Sequence, residues 1–175
     1  MAVEIEQMIY EHKDQLYRLC LYLEKDKERA DDLFQDTWVK ALEKLHTYDV
    51  SRAFYPWLTQ IAVNTYRDKL RRFKLELKRR CYEESQLEQL GDKEESIENT
   101  FIHKEELRMI LEGIKALPDK YKLPLLLVFN EKLSYKEAGE ILGIPEKLVK
   151  SRIYDGRQRL KKLLGKEEFQ WMINN

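Results

Sequence analysis

The segment from Ser134 to Leu164 constrains the fold of this chain most, because it has the pattern of two helices joined by a tight turn. Ser134 and Glu137 have the spacing of a capping box at the start of the first helix. Gly143 follows the last apolar position, where a helix commonly ends, and Pro145 suits the first turn of the next helix. The sequence therefore predicts a helix-turn-helix.

The second helix of this segment divides into an apolar row and a largely basic face. The apolar row consists of Val149, Ile153, Leu160 and Leu164. The side chains left for a partner are Lys147, Lys150, Ser151, Tyr154 and Arg157. A helix that reads the DNA major groove needs this division, with an apolar back and a front that reaches phosphates and base edges. The alternative is a small helical hairpin whose basic face is only solvated.

Charge is distributed unevenly along the 175 residues, although the formal net charge is zero. Residues 66–80 carry a net charge of +6, residues 81–100 of −6, and residues 147–166 of +7. Two basic helices separated by an acidic stretch predict two nucleic-acid contacts joined by a linker. Because acidic segments oppose the attraction to phosphate, we expect weak DNA affinity from the chain alone.

The cysteines, histidines and apolar runs argue against several classes of protein. Cys20 and Cys81 make no disulfide framework, and the three histidines lack metal-ligand spacing. No nucleophile motif accompanies them, so we expect neither an enzyme nor a bound metal or cofactor. The N-terminal residues lack the apolar core of a signal peptide, and the longest apolar run, 123–129, is too short to cross a membrane. We therefore expect a soluble, cytoplasmic protein.

Helical periodicity extends over most of the chain, so the predicted fold class is all-α, with two small helical domains. The first domain, residues 1–80, is expected to contain three helices, at 3–24, 27–46 and 56–80. A flexible acidic linker is expected over 81–104. The second domain, 105–166, is expected to contain four helices, at 105–115, 118–131, 134–142 and 145–164, before a tail over 167–175. Pro124 should kink its helix or delay the start.

Two features of the first domain suggest binding surfaces. The second helix carries a polar face around Asp32 and Asp36, which is either a docking surface or simply solvated. Aromatic residues then precede a helix that ends in basic residues. This combination can stack unpaired bases while cations hold the backbone. The alternative is that Phe54 and Trp57 are ordinary core residues, and the register of Trp57 with Leu58 favours the core.

The segment RADDLFQDTWVKAL, followed by Phe54-x-x-Trp57-Leu58, resembles domain two of the extracytoplasmic-function (ECF) sigma factors of bacterial RNA polymerase. The segment LPDKYKLPLLLVFNEKLSYKEAGEILGIPEKLVKSRIYDGRQRLKKLL resembles their domain four. The resemblance implies a factor that binds core polymerase, recognises the promoter minus-ten and minus-thirty-five elements and promotes initiation. The alternative is a helix-turn-helix regulator that acts without core polymerase.

The resemblance also implies roles for individual residues. Core polymerase would be bound, through the β′ clamp, by Asp32, Leu33, Gln35, Asp36 and Lys40. Minus-ten DNA would be contacted by Tyr48, Asp49, Arg52, Phe54, Trp57, Asn64, Arg67, Arg71 and Arg72. Minus-thirty-five DNA would be contacted by Tyr135, Lys147, Lys150, Ser151, Arg152, Tyr154 and Arg157. The implied partners are the β′ clamp and β flap of polymerase, promoter DNA and an anti-sigma factor, which in this family is often membrane-anchored; the chain itself is not expected to insert into a membrane.

Overall fold

Residues 2–83 and 102–164 are described by the computed structural model of the protein, and within them there are helices but no strand. The first helical unit consists of α1 (Ala2–Leu23), α2 (Lys27–Lys44) and α3 (Phe54–Glu83). The second consists of α4 (Ile102–Ala116), α5 (Asp119–Leu125), α6 (Tyr135–Leu142) and α7 (Glu146–Leu164). This confirms the prediction of an all-α fold.

The first unit packs its three helices around aliphatic side chains at helical spacing. Leu16, Leu19, Leu33, Leu58 and Val63 are all fully buried. The start of α2 is stabilised by the side chain of the residue before it, since the Asp26 carboxylate accepts a hydrogen bond from the Arg29 backbone N–H at 2.9 Å. The predicted second helix ran to residue 46, but α2 ends at Lys44 and a single 3₁₀ turn, Leu45–Thr47, follows.

Cys20 belongs to the same core, as the sequence indicated. Its side chain is buried, and this burial raises the pKa of the thiol to about 12. The reactive thiolate is therefore disfavoured at neutral pH, and Cys20 packs as a small apolar residue.

Pro124 divides the helix that the sequence predicted over 118–131. The α-helical part, α5, ends one residue after the proline, and a π-helical turn, Leu126–Asn130, continues the chain. The backbone N–H of Glu131 donates to the carbonyl of Leu126 at 3.0 Å, five residues back. Because proline has no N–H to donate, the α-helical ladder is interrupted there, and the π turn absorbs the irregularity.

The helix-turn-helix forms as the sequence predicted. The Ser134 N–H donates to the Glu137 carboxylate at 2.8 Å, and the Glu137 N–H donates to the Ser134 hydroxyl oxygen at 3.2 Å. Gly143 ends α6 in the left-handed conformation, at φ 67°. The last helix begins at Glu146, one residue later than predicted, so Pro145 lies just before α7. The Pro145 carbonyl accepts hydrogen bonds from the first turn of that helix. Hydrogen bonds between neighbouring residues thus define the start and end of α6 and the start of α7.

The helices extend into the predicted linker from both sides. The third helix continues to Glu83 and α4 begins at Ile102, whereas the linker was expected over 81–104. The rest of that segment, 84–101, lies outside the described residues, as does the expected tail over 167–175. The expectation of a flexible linker therefore remains a prediction.

The two helical units pack against each other, with α6 against α3 and α4 against α1. Two charged side chains of the second unit are almost fully buried in this packing: Lys122, 5% exposed, and Glu131, 4% exposed. The relative placement of the units could not be predicted from the sequence. This placement brings together the surface expected to contact the minus-ten element and the surface expected to contact the minus-thirty-five element.

Candidate functional site

The outer face of α2 carries most of the residues expected to bind polymerase. Asp32 and Gln35 are exposed. Asp36 is also exposed but forms an ion pair with Lys69 of α3, with 2.8 Å between the charged atoms. The expected contact of Leu33 with polymerase is corrected by the structure, because Leu33 is fully buried in the core of the first unit and has no surface to offer a partner. It positions the face rather than forming part of it.

Two apolar residues on this face were not among the residues assigned by sequence. Val39 is 55% exposed and Leu42 is 51% exposed, next to a shallow groove between α2 and α3. The groove is lined by Asp36, Val39, Lys40, Glu43, Thr65, Asp68, Lys69 and Arg72. The signal in the sequence was the presence of apolar residues on an otherwise polar face. Exposed apolar side chains within a ring of charges are typical of a surface that binds another protein.

The loop before α3 is held in shape by its own side chains. Asp49 accepts hydrogen bonds from the Ser51 N–H at 3.0 Å and from the Ser51 hydroxyl at 2.7 Å. These bonds lower the pKa of the Asp49 carboxyl below its ordinary value. The Tyr48 hydroxyl donates to the Arg52 carbonyl at 2.5 Å, which closes the loop. The loop is therefore closed by its own hydrogen bonds, and the Arg52 side chain is 75% exposed.

Aromatic rings form a cluster under this loop. The ring centroids of Tyr48, Phe54 and Trp57 lie 5.2–5.3 Å from one another. His12 of α1 stacks on Phe54 with the centroids 5.5 Å apart, a contact that the scattered histidines did not suggest. All three aromatic residues of the cluster are half-buried, so they pack together and each still leaves part of its side chain exposed, and a role in base stacking remains a prediction.

The basic face of α3 is exposed along most of its length. Asn64, Arg71 and Arg72 are exposed, and Arg71 forms a 3.4 Å ion pair with Asp68. Arg67 differs, because it is half-buried and its guanidinium donates to the Leu142 carbonyl at the end of α6, at 3.4 Å. One residue of the predicted minus-ten surface is thus covered by the second helical unit.

The buried row of α7 consists of Val149, Ile153, Gly156 and Leu160, close to the predicted row. At 3.6 residues per turn, the direction opposite this row is occupied by Lys147 and Ser151, with Tyr154 beside them. All three are exposed, Tyr154 by 65%. Exposed Asp155 and Gln158 also lie on this side and were not assigned by sequence.

The other predicted DNA contacts in the second unit flank this face. Lys150 forms a 2.6 Å ion pair with Glu146, and its ammonium lies 5.4 Å from the Tyr135 ring centroid. The Arg157 guanidinium lies 4.7 Å from the ring centroid of Phe129. These side chains are already engaged with protein groups, so they have less freedom to reach a base than Lys147 or Ser151.

Arg152 points away from the exposed face and lines a cleft between the two units. Arg67 lines the same cleft from α3. Burial of Arg67 lowers the pKa of its guanidinium, the nearby Asp119 opposes this effect, and the charge of Arg152 adds to it. A residue expected at the minus-ten element and one expected at the minus-thirty-five element therefore face each other.

Within the described ranges, no group of histidine, cysteine and acidic side chains is arranged to hold a metal ion. None of the helices in these ranges is both long and apolar enough to cross a bilayer.

Comparison with known proteins accounts for both helical units. A family model described as Sigma-70 region 2 matches residues 8–75, and one described as Sigma-70, region 4 matches residues 107–160. The ECF RNA polymerase sigma factor SigM of Bacillus subtilis is 34% identical over 91% of this chain and 94% of its own length. The ECF RNA polymerase sigma factor SigW of the same organism is 32% identical over 87% of this chain and 84% of its own.

The fold of the chain is also found in a solved structure. The sigma factor RpoE, solved in complex with the anti-sigma factor NepR from Bartonella quintana, superposes with a TM-score of 0.75. The match covers 94% of this chain and 98% of that one at 21% identity, so it concerns the fold. The resemblance noted in the sequence is confirmed: this chain belongs to the ECF sigma factors of RNA polymerase.

Proposed function

We propose that this sigma factor binds core RNA polymerase through the outer face of α2 and reads promoter DNA with the loop before α3, the basic face of α3 and the outer face of α7. The observation that carries the proposal is the presence, in one chain, of an exposed acidic and apolar face on α2 and an exposed recognition helix in α7. A DNA-binding regulator acting alone has no use for the first of these surfaces.

The residues proposed for polymerase binding lie on the outer face of α2: the exposed Asp32, Gln35, Asp36, Val39 and Leu42, and the half-buried Lys40. The β′ clamp is the proposed partner, because a basic and apolar surface on polymerase would complement this face. The β flap is the proposed partner of the second unit. Functional boundaries are proposed to follow the helices, with the minus-ten unit ending with α3 at Glu83 and the minus-thirty-five unit starting with α4 at Ile102.

Strand opening is proposed to depend on the loop and aromatic cluster before α3. The closed loop from Tyr48 to Arg52 and the half-buried rings beneath it provide a rigid edge beside a row of cations. An unpaired base can stack on such an edge while its phosphates are held by Arg71 and Arg72. The chain itself is proposed to carry out no covalent chemistry and to work in the cytoplasm, where it meets polymerase and DNA.

An anti-sigma factor is the proposed regulator. The support is the similarity to a fold that was solved with an anti-sigma factor bound. Such a partner would cover the α2 face or the α7 face and thereby prevent polymerase or DNA from binding.

The test is run-off transcription with purified core polymerase on promoters selected from a randomised library. We expect specific transcripts only when both this chain and core polymerase are present. Sequence-specific DNA binding by the chain alone, without an effect on transcription by core polymerase, would support the regulator alternative and overturn the proposal.

A further inference from the structure

One row along the exposed side of α7 consists of an apolar, a hydroxyl and an acidic side chain. The three residues are Leu148, Ser151 and Asp155, and their spacing of three and four residues places them on the same side of the helix. All three are exposed, Leu148 by 38%. The row therefore offers a binding partner a hydrocarbon surface, a hydroxyl and a carboxylate.

Cationic side chains beside this row are engaged with other groups of the protein. Lys150 is paired with Glu146, with 2.6 Å between the charged atoms. Arg159 lies one turn after Asp155, and its guanidinium is 4.7 Å from the ring centroid of Tyr121. Arginine and lysine are the side chains that most often read guanine. The row is therefore better suited to a base edge that carries a methyl or an amino group than to guanine.

Leu148 is the apolar member of the row and belongs to the first turn of α7. A partly exposed leucine is ordinary on a protein surface, but this one lies among the side chains proposed to face DNA. The N-terminal part of a recognition helix is the part that contacts base edges. In the major groove, the apolar group offered by a base edge is the 5-methyl group of thymine. Packing of leucine against this methyl group removes both surfaces from water, which stabilises the contact.

We propose that Leu148 recognises a thymine of the minus-thirty-five element through the 5-methyl group. The inference rests on the proposed function, because it requires the outer face of α7 to enter the major groove. Leu148 and Asp155 are seven residues apart, which is about 10.5 Å along a helix. Since successive base pairs are about 3.4 Å apart, this thymine should lie about three base pairs from the position that faces Asp155.

The experiment uses holoenzyme assembled from core polymerase and the full chain, on promoters selected from a randomised library. Each thymine of the minus-thirty-five element is replaced in turn by uracil, which keeps the hydrogen-bonding groups and lacks the methyl group. For the parent, we expect one replacement to weaken promoter binding about fourfold, because burying a methyl group contributes about 0.8 kcal/mol and about 1.4 kcal/mol is tenfold. Leu148→Ala should bind the thymine and uracil promoters equally.

Leu163→Ala is the matched control, because Leu163 is 60% exposed near the other end of the same helix. This variant should retain the parent's response to uracil. Both variants should keep the helical content of the parent, since alanine favours the helix at least as well as leucine. A difference between the two variants is therefore specific to the position of Leu148.

A minus-thirty-five element selected without thymine, or one in which no thymine responds to uracil, would overturn the proposal without the use of any variant. A response that persists in Leu148→Ala would also overturn it and would assign the methyl contact to another side chain. If the holoenzyme shows no sequence preference in this element, the proposed function of α7 fails and the inference fails with it. A sequence preference that is indifferent to the methyl group overturns the inference alone.

Discussion

The Lys122 ammonium lies 3.0 Å from the backbone carbonyl of Leu23, and this contact ties α5 to the last turn of α1. The two residues are 99 positions apart in the chain. The ammonium satisfies a helix-end carbonyl that would otherwise be buried without a donor, because Leu23 is only 2% exposed. The contact is therefore one of those that hold the two helical units together, beside the packing of α6 against α3 and of α4 against α1.

Glu131 is expected to make the stability of this arrangement depend on pH. Burial raises the pKa of its carboxyl above the ordinary value of 4.5, and hydrogen bonds, first that from Tyr55, offset the effect in part. Because the pKa is higher in the folded state, the stabilisation is fully present below pH 4.5 and is lost as the pH rises through the raised value. Glu131→Gln stays neutral at every pH. The difference between its free energy of unfolding and that of the parent should therefore change in favour of the variant as the pH rises. Urea unfolding at a series of pH values checks this, and parallel profiles would contradict it.

Asp32 provides the cleanest test of polymerase binding by α2. It is exposed and has no ion pair among the described side chains, whereas Asp36 is paired with Lys69 and would add repulsion if reversed. We expect Asp32→Lys to weaken core binding at least tenfold, a loss of about 1.4 kcal/mol or more, with normal helicity. Asp14→Lys, a matched charge reversal on the exposed surface of α1, should have little effect. Binding can be measured by titration with labelled core polymerase, and equal losses in both variants would point to net charge rather than docking.

Lys147 is expected to contact phosphate rather than a base. It is exposed at the start of α7. Lys147→Ala should weaken promoter binding by the holoenzyme similarly for all upstream sequences, and should reduce the salt dependence by about one unit in the log–log slope. Affinity measured over a range of salt concentrations decides this, with Lys136→Ala as the control. A loss confined to one base position would instead identify Lys147 as a base contact.

Asp155 is expected to influence which base is preferred. It is an exposed carboxylate on a face that is otherwise largely basic, and it would oppose phosphate unless it met a hydrogen-bond donor. In the major groove a carboxylate accepts from the amino group of cytosine, whereas asparagine pairs with adenine. Asp155→Asn should therefore shift one upstream position from cytosine towards adenine, by about 1–3 kcal/mol of discrimination. Selection of active promoters from a library randomised in this element tests it, and identical preferences would exclude the contact.

Gly139 is expected to be essential for the close approach within the helix-turn-helix. A Cβ at this position would lie 2.8 Å from the Ile144 carbonyl oxygen, a backbone atom with little freedom to move. Gly139→Ala should cost about 1–3 kcal/mol of stability, as overpacking usually does. Lys136→Ala, on the exposed side of the same helix, should change stability by less than about 0.5 kcal/mol. Urea unfolding of the two variants makes the comparison, and equal stability would show that the turn can relax.

The local structure of the protein and the family to which it belongs could be predicted from the sequence alone. Ser134, Glu137 and Gly143 specified the ends of α6 because caps and left-handed turns depend on neighbouring residues only. The apolar row of α7 was readable because helical periodicity repeats every few residues. The sequence predicted only an irregularity at Pro124, since the missing N–H is a local property. The form of the irregularity, a π turn, depends on packing.

Which polar residues are buried, and which groups they face, could not be predicted from the sequence because both depend on long-range packing. Lys122 and Glu131 look like ordinary surface charges in the sequence, and their partners in the first unit lie 56 to 116 positions away. The same applies to Arg67 and Arg152. The sequence places each of them on a basic helix, but only the folded structure shows that both line one cleft. Periodicity describes the face of a helix, but long-range packing determines whether that face meets water or another helix.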